Sequence, residues 1–144
     1  MTTIAYNHKD KEIAVDSRTS RNSTIMSDKK NKIITVDGVS YIGCGDVDDI
    51  EELVGVLAGK LDVDSVKTNT AEVIWFNKGE VFRIAFNDGE GVWSQASRIN
   101  DAIGSGSDWA MAAMDFGRSA KDAVKYAMTR DMYTGGKIRV IKVK

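Results

Sequence analysis

Thr2-Thr3-Ile4-Ala5-Tyr6-Asn7-His8-Lys9-Asp10-Lys11-Glu12-Ile13-Ala14-Val15-Asp16-Ser17 is the stretch whose reading decides the fold. Ile4, Tyr6 and His8 alternate along residues 3–8 with the period of a strand, and the polar Lys9-Asp10-Lys11 separates them from a second run at residues 12–17. The pattern predicts a β-hairpin. Beyond it, residues 19–31 read as polar loop. Residues 32–36 and 39–43 then form a second strand pair across Asp37-Gly38, a dipeptide suited to the positive φ of a two-residue hairpin turn.

A helix is predicted from about Asp48, with acids in its first turn and Ile50, Leu53, Val54, Leu57 and Leu61 on one face. Residues 62–70 are a polar connection. Strands follow at 71–76 and 80–86 around Asn77-Lys78-Gly79, and a Gly-rich turn over 88–91 leads into a short strand at Val92 and Trp93. Residues 107–117 read as a helix with Trp109, Ala112, Ala113 and Phe116 on one face, ending at Gly117. Ser119 caps another, with Asp122 three residues on and the apolar period running to Met132 before Gly135-Gly136 break it. Ile138, Val140 and Val143 read as a closing strand. Strands, a helix, strands, two helices and a strand argue for an α+β fold of stacked layers rather than a doubly wound parallel sheet.

The chain has 144 residues, 42% of them hydrophobic and 28% charged, which fits a single domain over residues 1–144. No apolar run approaches the ~20 residues of a membrane span, and no secretory signal is legible, so the reading is a soluble, cytoplasmic protein without a membrane partner. One cysteine, Cys44, and one histidine, His8, leave little for a metal cluster, and no metal or cofactor is expected. A net charge of -1 gives no sign of nucleic-acid binding. Charge is nevertheless uneven. Residues 46–64 hold seven acids against one base, a net of -6, and residues 118–144 hold eight bases against two acids, a net of +6. These blocks read as solvated faces or, more sharply, as complementary surfaces for self-association.

The residue inventory removes most catalytic schemes. A Ser-His-Asp or Cys-His pair would have to use His8, whose alternation with Ile4 and Tyr6 reads better as a packed or edge position. Cys44 reads as a small buried hydrophobe or a pocket lining. Gly104-Ser105-Gly106-Ser107 opens a helix, so its amides could meet an anion, but no Gly-Lys-Ser/Thr follows and a phosphate loop is excluded. Thr2 is different. Removal of Met1 would leave a hydroxyl and a free α-amine on one residue, and an amine with a pKa near ~8 can serve as base near neutrality. The bland alternative is a threonine that merely begins a strand.

Context decides between them. Thr2-Thr3-Ile4, Ala14-Val15-Asp16-Ser17-Arg18, Lys32-Ile33, Gly43-Cys44-Gly45-Asp46, Ile103-Gly104-Ser105-Gly106-Ser107 and Arg130-Asp131-Met132-Tyr133-Thr134-Gly135-Gly136-Lys137-Ile138 occur in order. Together they resemble the proteasome β-subunit family, including the bacterial HslV peptidase, across nearly the whole chain. The resemblance implies an N-terminal nucleophile hydrolase with a four-layer αββα sandwich, its subunits forming a homo-oligomeric ring around a chamber. It implies a threonine peptidase acting on peptides or unfolded proteins, with an ATP-dependent unfoldase as candidate partner.

Carried residue by residue, Thr2 matches the nucleophile, Lys32 the lysine beside it, and Asp16 the acid paired with Lys32. Gly45 matches the oxyanion-hole donor. Ser105, Asp131 and Thr134 match the group that orients the nucleophile's amine, with Thr134 where a serine is usual, and Arg18 matches a supporting basic residue. Cys44 falls near the lining of the specificity pocket. The family has two long helices between its fourth and fifth strands, whereas only the helix from Asp48 fits here, so one helix of that layer is expected to be lost or reduced. A silent ring or scaffold protein that retains Met1 is the alternative function.

Overall fold

The computed structural model of the chain describes residues 2–87 and 90–143. The opening stretch forms β1 (Thr3–Asn7) and β2 (Glu12–Val15), paired antiparallel with Ile4 opposite Val15. A small hairpin follows, β3 (Thr19–Arg21) with β4 (Thr24–Ser27), where the sequence reads as loop. Its residues lie exposed or half-buried, so no alternating apolar pattern advertises it. The next hairpin, β5 (Ile33–Val36) and β6 (Val39–Cys44), turns at Asp37 and Gly38 with φ of 52° and 80°, as a two-residue turn requires.

Between β6 and the next strand lie one α-helix, α1 (Val47–Leu57), and a 3-10 turn at Val63–Ser65. The Asp46 side chain accepts from the Asp48 N–H at 3.0 Å, capping one of the amides that a helix start leaves unpaired. The helix stops at Leu57, short of the expected Leu61. Lys60 and Leu61 turn back to donate to the Gly55 carbonyl, leaving Leu61 half exposed. Strands β7 (Glu72–Asn77), β8 (Glu80–Asn87) and β9 (Gly91–Ala96) continue the second sheet, so the short strand at Val92 and Trp93 is six residues long. Asp88 and Gly89 of the expected turn lie outside the described residues.

A strand that the sequence did not announce, β10 (Asp101–Gly104), pairs with β1 and leads into α2 (Ser107–Asp115). The apolar face of α2 differs from the expected one. Ala110, Ala113 and Met114 are buried, whereas Phe116 is 91% exposed, because the helix approaches the sheet over small residues. Ser119 caps α3 (Ala120–Ala127), which ends five residues before Met132 and frees the segment carrying Asp131 to turn back toward β1. β11 (Arg139–Lys142) closes the chain against β2.

Besides the β3-β4 hairpin, the described residues form two larger antiparallel sheets, ordered β10-β1-β2-β11 and β5-β6-β7-β8-β9. Large residues on one face of the first, Ile4, Tyr6, Ile13, Val15 and Ile103, pack with Ile42, Ile74 and Val81 of the second. Each fully buried aliphatic side chain contributes about 1.5–3 kcal/mol relative to exposure. The opposite face of the first sheet carries Ala5, Ala14 and Ala102 under α2 and α3. The opposite face of the second carries Tyr41, Val73 and Ile84 against Leu53 and Val54 of α1. This alternation of large and small residues explains why all five residues of β1 are buried. No helix among the described residues is long and apolar enough to cross a membrane.

Candidate active site

The start of β1 and three distant segments converge on Thr2, which is 5% exposed. Lys32, just before β5, places its Nζ 2.8 Å from Thr2 Oγ1 and 2.8 Å from Asp16 Oδ1. The Lys32 side chain is 8% exposed and that of Asp16 fully buried. Burial pushes the Lys32 ammonium below the ordinary lysine range, and the Asp16 carboxylate beside it opposes that fall. Asp16 sits at the end of β2, where it also accepts from the backbone N–H groups of Thr3 at 3.3 Å, Arg18 at 3.3 Å and Gly135 at 3.0 Å. A carboxylate with this many donors is held in place as well as neutralised.

A second group forms on the other side of β1. Ser105 Oγ donates to Asp131 Oδ2 at 2.5 Å, Thr134 Oγ1 donates to the same oxygen at 2.6 Å, and the Tyr133 N–H donates to Oδ1 at 3.1 Å. Burial pushes the Asp131 carboxyl up, but these three donors outweigh it and hold the group below its ordinary value. Ser105 follows Gly104, which stands opposite Thr3 in the β1–β10 register, so β10 brings the serine to the Thr2 end of the strand.

Arg18 braces the segment after α3. Its guanidinium makes two bonds to Asp28, at 2.8 and 3.1 Å, and donates to the Met132 carbonyl at 2.8 Å. Gly135 lies so close that a Cβ there would overlap the guanidinium. Asp28, at the end of β4, is a partner that sequence reasoning did not select, and so is Thr3, whose Oγ1 lies 2.6 Å from Thr134 Oγ1. The doubled threonine at the start of the chain was the available signal for the latter.

Thr2 and Lys32 open into a cavity of about 170 Å3 whose lining includes Gly43, Gly45, Ile34 and Ile50. Gly45 therefore shares the wall of this cavity with Thr2. Cys44 does not line this cavity. It packs in the core between the sheets, where burial pushes its thiol up to about 11 with help from Glu72, and it borders a separate cavity of about 270 Å3 with Arg83 and Ser105. Strand alternation accounts for this, since Gly43 faces Ile50 of α1 and Cys44, the next residue of β6, takes the opposite face. His8 hydrogen-bonds the Tyr6 hydroxyl at 2.8 Å, well along β1 from Thr2. Met1 lies outside the described residues.

The solved structures that the chain resembles agree on its fold. The chain has the fold of the HslV and proteasome-type peptidases. It is similar over 99% of its length to all of the chain of Thiobacillus denitrificans BPH in complex with epoxomicin, at 20% identity and a TM-score of 0.75. Another structure of Thiobacillus denitrificans BPH matches at 20% identity and a TM-score of 0.74, with 99% of each chain covered. Eukaryotic HslV from Trypanosoma brucei matches at 20% identity and a TM-score of 0.74, with 97% of this chain and 98% of that one covered. No protein-family model matches the sequence, and no curated protein matches it significantly.

Proposed function

We propose that the protein is a threonine peptidase that works within a ring of its own copies, with Thr2, once Met1 is removed, as nucleophile and its own α-amine as general base. The observation that carries this reading is Lys32 Nζ at 2.8 Å from both Thr2 Oγ1 and Asp16 Oδ1. An ammonium held there by a buried carboxylate favours the alkoxide over the alcohol and removes any need for histidine. The amine takes the Thr2 hydroxyl proton as Oγ1 attacks the scissile carbonyl carbon. The Gly45 N–H receives the resulting oxyanion, and collapse expels the leaving amine with the proton that the Thr2 amine carried. Water then attacks the ester, activated by the same amine, and frees Thr2. Asp131, with Ser105 and Thr134, orients the amine.

The layers fit this reading as an αββα sandwich whose first helical layer is reduced to α1. The acidic residues 46–64 and the basic residues 118–144 supply complementary surfaces for ring contacts. Peptide or unfolded-protein substrates follow from the class, and an ATP-dependent unfoldase is the partner to seek.

The test is the intact mass of the purified protein before and after incubation with epoxomicin, the ligand of the similar Thiobacillus denitrificans protein. The expected result is a chain lacking Met1 that gains one adduct, with no adduct on Thr2→Ala. Retained Met1 with no adduct would replace this reading with a silent ring protein.

A further inference from the structure

We propose that Thr3 is a positioning residue for the nucleophile, tying the residue beside Thr2 to Asp16 through its backbone N–H and, by its hydroxyl, to Thr134 and through Thr134 to Asp131. This inference rests on the peptidase reading of Thr2. Thr3 is fully buried, and strand alternation sends its side chain to the face of β1 opposite Thr2, the face where Ala5 meets α2 and α3. Lys32 therefore reaches Thr2 from one face while Thr134, itself bonded to Asp131, holds Thr3 from the other.

The direction of the hydrogen bonds follows from chemistry. Asp131 is held ionised and can only accept, so the single hydroxyl proton of Thr134 is committed to it at 2.6 Å. Thr3 must then donate to Thr134, across 2.6 Å. The receptacle for this hydroxyl is built to size, because a Cβ on Gly106 would overlap Thr3 Oγ1 and would crowd Ala127 at 3.0 Å. On its other side, the Thr3 N–H donates to Asp16 Oδ1, the same oxygen that Lys32 Nζ contacts. Thr3 thus bonds both halves of the site. Without its hydroxyl, the first turnable bond of β1 loses its anchor on the helix side, and Thr2 Oγ1 can drift from Lys32.

Valine keeps the shape and β-branching of threonine while removing the donor, and serine keeps the donor, so the two separate hydroxyl from packing. The experiment measures kcat and KM on a fluorogenic peptide for wild type, Thr3→Val and Thr3→Ser, together with the Lys32 Nζ–Thr2 Oγ1 separation in a crystal structure of Thr3→Val. We expect kcat of Thr3→Val to fall about 10- to 100-fold with little change in KM. Thr3→Ser should recover most of the loss, and the Lys32–Thr2 contact in Thr3→Val should open beyond hydrogen-bond range. A contact unchanged at 2.8 Å in Thr3→Val overturns the proposal whatever the activity. A serine variant no better than the valine one overturns it too. Should wild type show no turnover, the peptidase reading fails instead, and the separation in Thr3→Val still decides the role of Thr3. If Thr3→Val does not fold, Thr134→Val breaks the same tether from its other end and is read by the same criteria.

Discussion

Removing one partner of the Lys32–Asp16 pair should cost far more stability than removing both. At 2.8 Å the pair attracts by about 6 kcal/mol at an effective dielectric of ~20, and each charge has paid several kcal/mol to leave water. In Asp16→Asn the lysine keeps its desolvation penalty and loses its counter-charge. Its escape is to shed the proton, which near pH 7 costs about 5 kcal/mol for a lysine of ordinary pKa near 10.5, so the loss is capped near that figure. In Lys32→Met the Asp16 carboxylate stays buried, though it retains the N–H groups of Thr3, Arg18 and Gly135, and the loss should be about 3 kcal/mol.

The double variant buries no charge at this point and should lose only about 1–2 kcal/mol, less than either single change. The assay is urea unfolding of all four proteins at one protomer concentration, since self-association would add to apparent stability. A pH series gives a second check. Burial puts the folded-state value of Lys32 below 10.5, so the unfolded chain binds more protons in between, and stability rises with pH across that window. Asp16→Asn should steepen this rise, and the double variant should abolish it. Losses that add within about 0.5 kcal/mol would refute the account of a mutually dependent buried pair.

Asp131 predicts a pH dependence of the same sign at the acid end of the range. Its folded-state value lies below 3.8, so its stabilisation is complete above that pH and is lost as pH falls through the folded-state value; the stability gap between wild type and Asp131→Asn, followed by thermal melting, should close over that acid range. Gly135→Ala should cost about 1–3 kcal/mol and lower the proposed peptidase activity, because the new methyl displaces the Arg18 guanidinium from Asp28 and Met132. In an Arg18→Ala background the same change should cost much less, and equal losses in both backgrounds would remove the collision as the cause.

Local chemistry made much of the chain legible. Asp37-Gly38 and Lys78-Gly79 turn because their backbones take positive φ, and Asp46 and Ser119 cap helices by bonding amides two and three residues on. Ile4 and Tyr6 alternate with Ala5 because β1 is covered on both faces. These interactions span a few residues, so one sequence carries them openly. Motif resemblance goes further and selects Thr2, Asp16 and Lys32, which the fold brings into one hydrogen-bonded group, and Ser105, Asp131 and Thr134, which it brings into another.

Only the tertiary structure decided the rest. β10 is a four-residue edge strand whose partner lies almost a hundred residues away, and β3–β4 buries too little to leave a pattern. The end of α3 at Ala127, against an apolar period that continues to Met132, was set by the return of Asp131 to Ser105. Which of Gly43 and Cys44 faces the cavity depended on a one-residue register in β6. The bond from Thr3 to Thr134 joins positions 131 residues apart. Sequence determines propensity along the chain, whereas the meeting of charges and hydroxyls across it depends on how the layers pack, and the distances at Thr2 belong to that packing.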